Sequence, residues 1–97
     1  NEINVVNPIS ASNYPNPFNP ETTISFDMPQ AGKANVQIYN LRGQLVKTLL
    51  DNQVSAGTQN IIWNGKDSKN NSVASGVYFY RIKIANETIQ KKMVLQK

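Results

Sequence analysis

The chain has 97 residues, no cysteine, no histidine and a formal net charge of +4 from ten basic and six acidic side chains. This length makes one domain, which buries only about 60–65% of the surface its unfolded chain exposes. The composition excludes a thiol nucleophile, a cysteine-ligated zinc, a redox switch and a histidine-based acid, base or triad.

Residues 1–8, "NEINVVNP", read as a linker from an upstream domain, and residues 9–97 as the domain itself. The segment has neither the charged start nor the apolar run of a signal peptide, and begins without Met, as a piece of a longer protein would. Apolar residues then recur with period two rather than 3.6, the signature of strands. Residues 9–14 form a short first strand leading into "YPNPFNP". There Pro15, Pro17 and Pro20 alternate with Asn16, Phe18 and Asn19 after Tyr14. Each proline fixes φ and disfavours helix at the residue before it, so residues 14–20 are expected to run extended. Tyr14 and Phe18 are expected to plug one end of the fold, because a domain without disulfides has a thin stability margin.

"TTISFDM" places Ile24, Phe26 and Met28 on one face of a second strand, and "PQAGK" turns the chain. "ANVQIYN" directs Val36 and Ile38 inward. "LRGQ" is a tight turn with Gly43 suited to positive φ. "LVKTLL" is a fourth strand, "DNQVSAGTQ" a loop, and "NIIWN" a fifth strand carrying Trp63. "GKDSKNNSVAS" is a loop of turn formers. "GVYFYRIKIA" is the longest strand, with Tyr78, Tyr80, Ile82 and Ile84 facing the core. Asn86 and Glu87 make a two-residue hairpin turn, and "TIQKKMVLQ" is the last strand. Seven short strands with regular turn signals predict an all-β fold, a seven-stranded antiparallel immunoglobulin-like β-sandwich. The antibody subtype is excluded, since Trp63 stands without cysteines.

Little in the chain carries chemistry. Glu2, Glu21, Asp27, Asp51, Asp67 and Glu87 are spread over loops, turns and polar strand positions, which suits solubility better than a glycosidase pair. "DSKNNS" at 67–72 fails the EF-hand pattern, with Lys69 at the third position and Ser72 where glycine is needed. A hydrated turn is the expectation there, with no metal and no cofactor. Tyr39, Phe79, Trp63 and Phe18 are the candidates for a sugar-stacking platform, although so small a sandwich needs most aromatics inside. Two N-x-[ST] sequons, at Asn70 and Asn86, fall in turns and are common by chance in an asparagine-rich chain. The lysines at 33, 47, 66, 69 and 83 are scattered, so no nucleic-acid face is expected.

The blocks "NYPNPFNPETTISFDMP", "VQIYNLRGQLVKTLL", "SAGTQNIIWNGKD", "VASGVYFYRI" and "KKMVLQK" together cover residues 13–97. In order and spacing they resemble the type A C-terminal sorting domain of the type IX (Por) secretion system. That domain is related to the immunoglobulin-like domain of the flagellar hook-capping protein. The resemblance implies a non-catalytic address tag on proteins of Bacteroidota and related phyla. Such cargo passes through the periplasm and is read by an outer-membrane translocon and its shuttle protein. A sortase then attaches it to the cell surface, or it is released. The signal is placed by resemblance in the last two strands, on Gly76, Tyr78, Lys91, Lys92, Met93, Val94, Leu95 and Lys97. Two departures stand out: Asn64 where relatives carry Asp, and Asn70 or Asn71 where they carry Gly. Asparagine tolerates the left-handed conformation, so the turn is expected to survive. An exposed terminal hairpin also favours strand-mediated homodimers. The alternative reading is an accessory carbohydrate-binding or structural module of an extracellular enzyme.

Overall fold

The computed structural model describes residues 10–85 and 87–97. The proposed linker, Ile9 and the sequon Asn86 lie outside them. Seven strands form: β1 (Ala11–Tyr14), β2 (Thr22–Met28), β3 (Gly32–Asn40), β4 (Leu45–Val54), β5 (Gly57–Trp63), β6 (Gly76–Ile84) and β7 (Glu87–Leu95). All pair antiparallel, in a three-stranded sheet of order β1-β2-β5 and a four-stranded sheet of order β4-β3-β6-β7. This is the all-β, seven-stranded immunoglobulin-like sandwich that the alternation predicts. β4 joins the sheet of β3, β6 and β7, whereas an antibody constant domain places four strands on the other side.

The core is built by period two. Ile24, Phe26 and Met28 of β2 face Val36 and Ile38 of β3, and Tyr78, Tyr80, Ile82 and Ile84 of β6. Trp63, Met93 and Leu95 close it, all at 1% exposure or less. Alternate residues of each strand point outward, because successive side chains leave a strand on opposite faces.

Three local expectations change. Residues 51–54 continue β4 where a loop was expected, and only Ser55 and Ala56 separate it from β5. β4 is an edge strand, so its backbone needs one partner only, and its polar side chains need no core. Its pairing with β3 shifts register at Val36/Gln37 and at Ile38/Tyr39. Such bulges let a strand run on past a break in alternation. The last hairpin turns one residue earlier than expected, since Ile84 pairs with Glu87 and Ala85 takes φ +47°. The proline segment does not run extended: it bends at residues 15–17 and 19–20, and its three X-Pro bonds are cis. A proline φ suits turns as well as extended chain.

Candidate functional site

The last hairpin and the proline segment meet, although they stand at opposite ends of the chain. β6 pairs with β7 in continuous register from Gly76↔Leu95 to Ile84↔Glu87. β7 is the outer strand of its sheet. The proline segment docks against its exposed side near the C-terminus. The Phe18 N–H donates to the Val94 carbonyl at 3.0 Å, and the Gln96 N–H donates to the Phe18 carbonyl at 2.9 Å. The Val94 N–H donates to Asn16 Oδ1 at 3.0 Å. Phe18 thus makes an isolated parallel bridge to the end of β7, and the Asn16 side chain extends it by one bond.

Below this contact the edge changes. Val94 directs its N–H and C=O away from β6, so alternation aims those of Thr88, Gln90 and Lys92 off the sheet as well. Among the described residues no strand pairs with the lower half of β7, and its backbone groups point off the sheet. Lys91 reaches inward across the open side of the sandwich, where its Nζ donates to the Ala11 carbonyl at 2.6 Å.

The residues implied as the sorting signal separate by burial. Met93 and Leu95 are core residues, at 0% and 1% exposure. Gly76 and Val94 are half-buried, while Lys91, Lys92 and Lys97 are exposed. Lys92 stands on the outer face opposite Phe79. The Lys97 N–H donates to Ser75 Oγ at 3.1 Å. Tyr78 is buried, stands edge-on to Trp63 at 5.3 Å and donates its hydroxyl to the Ala74 carbonyl at 2.6 Å. Burial raises the phenol pKa of both Tyr78 and Tyr80 above the usual 10.0.

The plug has one aromatic, not two. Phe18 is 2% exposed and packs on Trp63 with ring centroids 5.7 Å apart. Tyr14 is 82% exposed. β1 directs Ala11 inward, and period two then sends Tyr14 to the outer face, opposite Thr23. The first strand is clamped by polar groups instead. Buried Thr22 donates its hydroxyl to the Pro15 carbonyl at 2.8 Å and accepts from Asn13 Nδ2 at 3.1 Å. Asn19 and Pro17 are exposed. Gly43 takes φ +81° and donates its N–H to the Asn40 carbonyl at 2.9 Å.

Trp63 sits at the junction, fully buried, with its Nε1 donating to the Lys66 carbonyl at 2.9 Å. Asn64 accepts the Lys66 N–H through Oδ1. Next to it, Gly65 has φ +75°, and a Cβ there would lie 2.9 Å from the Pro20 carbonyl oxygen. Gly65 thus lets the loop after β5 close over the end of the proline segment. Sequence reasoning missed this role, and the signal was the glycine directly after Trp63-Asn64. It also missed Asn16 as the acceptor for β7, which no local pattern could reveal across a separation of 78 residues.

The rival chemistries lose support. Trp63 and Phe18 belong to the core and cannot stack on a sugar. The Tyr39 ring is covered by the Arg81 guanidinium, 4.4 Å from its centroid. In the loop at 67–72, Asp67 Oδ1 accepts the N–H groups of Lys69 and Asn71, both at 2.9 Å, and Asn70 takes φ +69°. Its carboxylate is used in holding the turn. Among the described residues no cluster of three metal-ligating side chains occurs.

A family model described as the secretion system C-terminal sorting domain matches residues 12–96. The chain belongs to that family, the sorting tails of the type IX secretion system, which mark secreted proteins bound for the cell surface or beyond. No curated protein matches. Among solved structures, PorZ, an essential surface component of the type IX system of Porphyromonas gingivalis, superposes with a TM-score of 0.66 at 23% identity. The match covers 90% of this chain and 11% of PorZ. Dimeric latent PorU of the same organism gives a TM-score of 0.72 at 20% identity over 96% of this chain and 10% of PorU. FlgD of P. aeruginosa gives 0.61 at 24% over 77% of this chain and 60% of FlgD. The chain spans only a tenth or so of PorZ and PorU, and these likenesses show a shared fold.

Proposed function

We propose that this sorting domain has no chemistry of its own and is read, through its β6–β7 hairpin, by the outer-membrane translocon of the type IX system. Its cargo, carried upstream, crosses the periplasm with a shuttle protein and is then released or attached by a sortase. The observation that carries this reading is the split character of β7. Among the described residues its lower half is an unpaired strand edge flanked by Lys91 and Lys92, and a partner can engage it by strand addition without unfolding the domain. Its upper half is held by Asn16 and Phe18, and Met93 and Leu95 are buried. A partner reads those two side chains only after the strand is lifted. The exposed determinants of the folded domain are therefore Lys91, Lys92, Lys97 and the edge itself. The same edge would pair two copies of the domain at high concentration.

The test is secretion of a reporter fused to residues 9–97 in a host with a working type IX system. Beside it run a fusion truncated after Ala85 and a full-length fusion carrying Lys91→Ala, Lys92→Ala and Lys97→Ala. Truncation removes two core residues; the triple variant keeps them and loses, besides charge, only the Lys91 bond to the Ala11 carbonyl, so its thermal midpoint is compared with the parent's. Export of the parent with periplasmic retention of both others is expected. Equal export of all three would remove the hairpin as the signal.

A further inference from the structure

The lysines that look scattered along the chain are gathered by the sheet. The outward residues of the four-stranded sheet fall into rows across β3, β6 and β7. The first row is Tyr39, Phe79 and Lys92; the second is Gln37, Arg81 and Gln90; the third is Asn35, Lys83 and Thr88. Lys33 follows one step further along β3. Each row thus holds one cation, and the four make a diagonal stripe from β7 through β6 to β3. Rows two residues apart are about 7 Å apart, so the stripe is about 20 Å long.

Three observations set the stripe apart from an ordinary solvated face. First, Arg81 is held by neutral groups. Its Nε and Nη2 donate to Gln90 Oε1 at 3.2 and 3.0 Å, its Nη1 donates to the Tyr39 hydroxyl at 3.4 Å, and the guanidinium lies on the Tyr39 ring. Its charge is fixed in place yet left uncompensated by these partners, so less side-chain freedom is lost when an anion arrives. Second, the only acid among the described residues of this face is Asp51, which stands opposite Asn35 on β4, in the row of Lys83, and pairs with Lys33 at 3.5 Å, so Lys83, Arg81 and Lys92 are the cations without an acidic partner among the described residues. Third, the outer face of the other sheet provides an internal contrast. Ser12, Tyr14, Thr23, Ser25, Asp27, Thr58, Asn60 and Ile62 point outward there, with no cation among them.

We propose that this stripe is a docking surface for an extended acidic polypeptide segment. Carboxylates on alternate residues of an extended chain repeat at about 7 Å, matching the rows. The Asn35 amide and the Gln90 Nε2 flank the cations and suit a peptide backbone, while Gln37 is taken up by Tyr39 and Thr48. The face is a poor platform for bases or sugars. The Tyr39 ring is taken by Arg81 and Phe79 is half-buried, so no free ring face lies beside the cations for stacking. The surface shares only Lys92 with the proposed sorting determinants and stands whether or not the β7 edge is the sorting signal.

The experiment is fluorescence anisotropy of the 97-residue chain with a labelled peptide of about eight residues alternating Glu and Ser, at about 20 mM salt, where exposed charges are weakly screened. Lys83→Glu/Lys92→Glu is compared with Arg42→Glu/Lys69→Glu, which makes the same change in net charge at exposed sites off the stripe. Binding by the parent, an affinity loss of about tenfold or more in the stripe variant and less than about threefold in the other are expected. Equal losses would reduce the effect to net charge and overturn the proposal, as would absence of binding by the parent. Stripe-dependent binding of a heparin oligosaccharide or single-stranded DNA more tightly than the peptide would also overturn the choice of partner. If the charge reversals shift the thermal midpoint, Lys83→Gln/Lys92→Gln replaces them, with an expected loss of about threefold.

Discussion

The two halves of β7 are one strand with two edges. The upper half, around Val94 and Gln96, is closed by Asn16 and Phe18 from the far end of the chain. The lower half, through Thr88, Gln90 and Lys92, has no pairing partner among the described residues, and Lys91 and Lys92 discourage casual pairing there. The difference shows how a strand can be part of a stable core and still be offered to a partner. A small domain cannot leave a whole core strand loose, because Met93 and Leu95 fill its centre. Closing one end secures the core, and leaving the other end open gives access.

Breaking the closed half should have the largest effect. Phe18→Ala removes a buried ring packed on Trp63 and should cost about 3–5 kcal/mol in denaturant unfolding. Tyr14→Ala, from the same motif, should change stability by no more than about 0.5 kcal/mol. A Tyr14 effect as large as that of Phe18 would restore the two-ring plug. Gly65→Ala should cost about 2–3 kcal/mol, from positive φ and the close Pro20 carbonyl, and thermal unfolding reads it. Asn16→Ala should cost about 1 kcal/mol, since water can replace part of an exposed acceptor. Its sharper signature is faster exchange of the Val94 amide with Lys92 unchanged.

The smallest expected effect is that of pH. Without histidine, no side chain titrates in its ordinary range near neutrality, so the thermal midpoint should stay level between about pH 6 and pH 9. Tyr78 and Tyr80 have pKa values raised by burial, so the unfolded chain loses their protons first. Their contribution is complete below the usual 10.0 and declines as pH rises from there through the higher folded values. A midpoint that held level well above pH 10 would contradict the burial of these phenols.

Much of this fold is legible in the sequence, because alternation is a local signal. It placed Ile24, Phe26 and Met28 of β2, Val36 and Ile38 of β3, and Tyr78, Tyr80, Ile82 and Ile84 of β6 inward, and left out only the buried Thr22 and Ala34 of these strands. It fails where burial does not govern the chain, as at residues 51–54, where an edge strand continues through polar residues. Tyr14 is instructive: parity from Ala11 places it outside, and only the presence of a ring suggested otherwise. The site was less legible for a different reason. Asn16, Gly65 and the cation stripe matter through partners distant in sequence, and spacing along a chain does not record which strands become neighbours. The family resemblance pointed to the hairpin, while the physical division of β7 arises only once distant segments of the chain are folded together.

The most direct measurement is amide hydrogen exchange along β7, resolved by residue. Slow exchange at Val94 and Gln96, with fast exchange at Thr88, Gln90 and Lys92, is the expected result. Uniform exchange along these five amides would contradict the division of the strand into a closed and an open half.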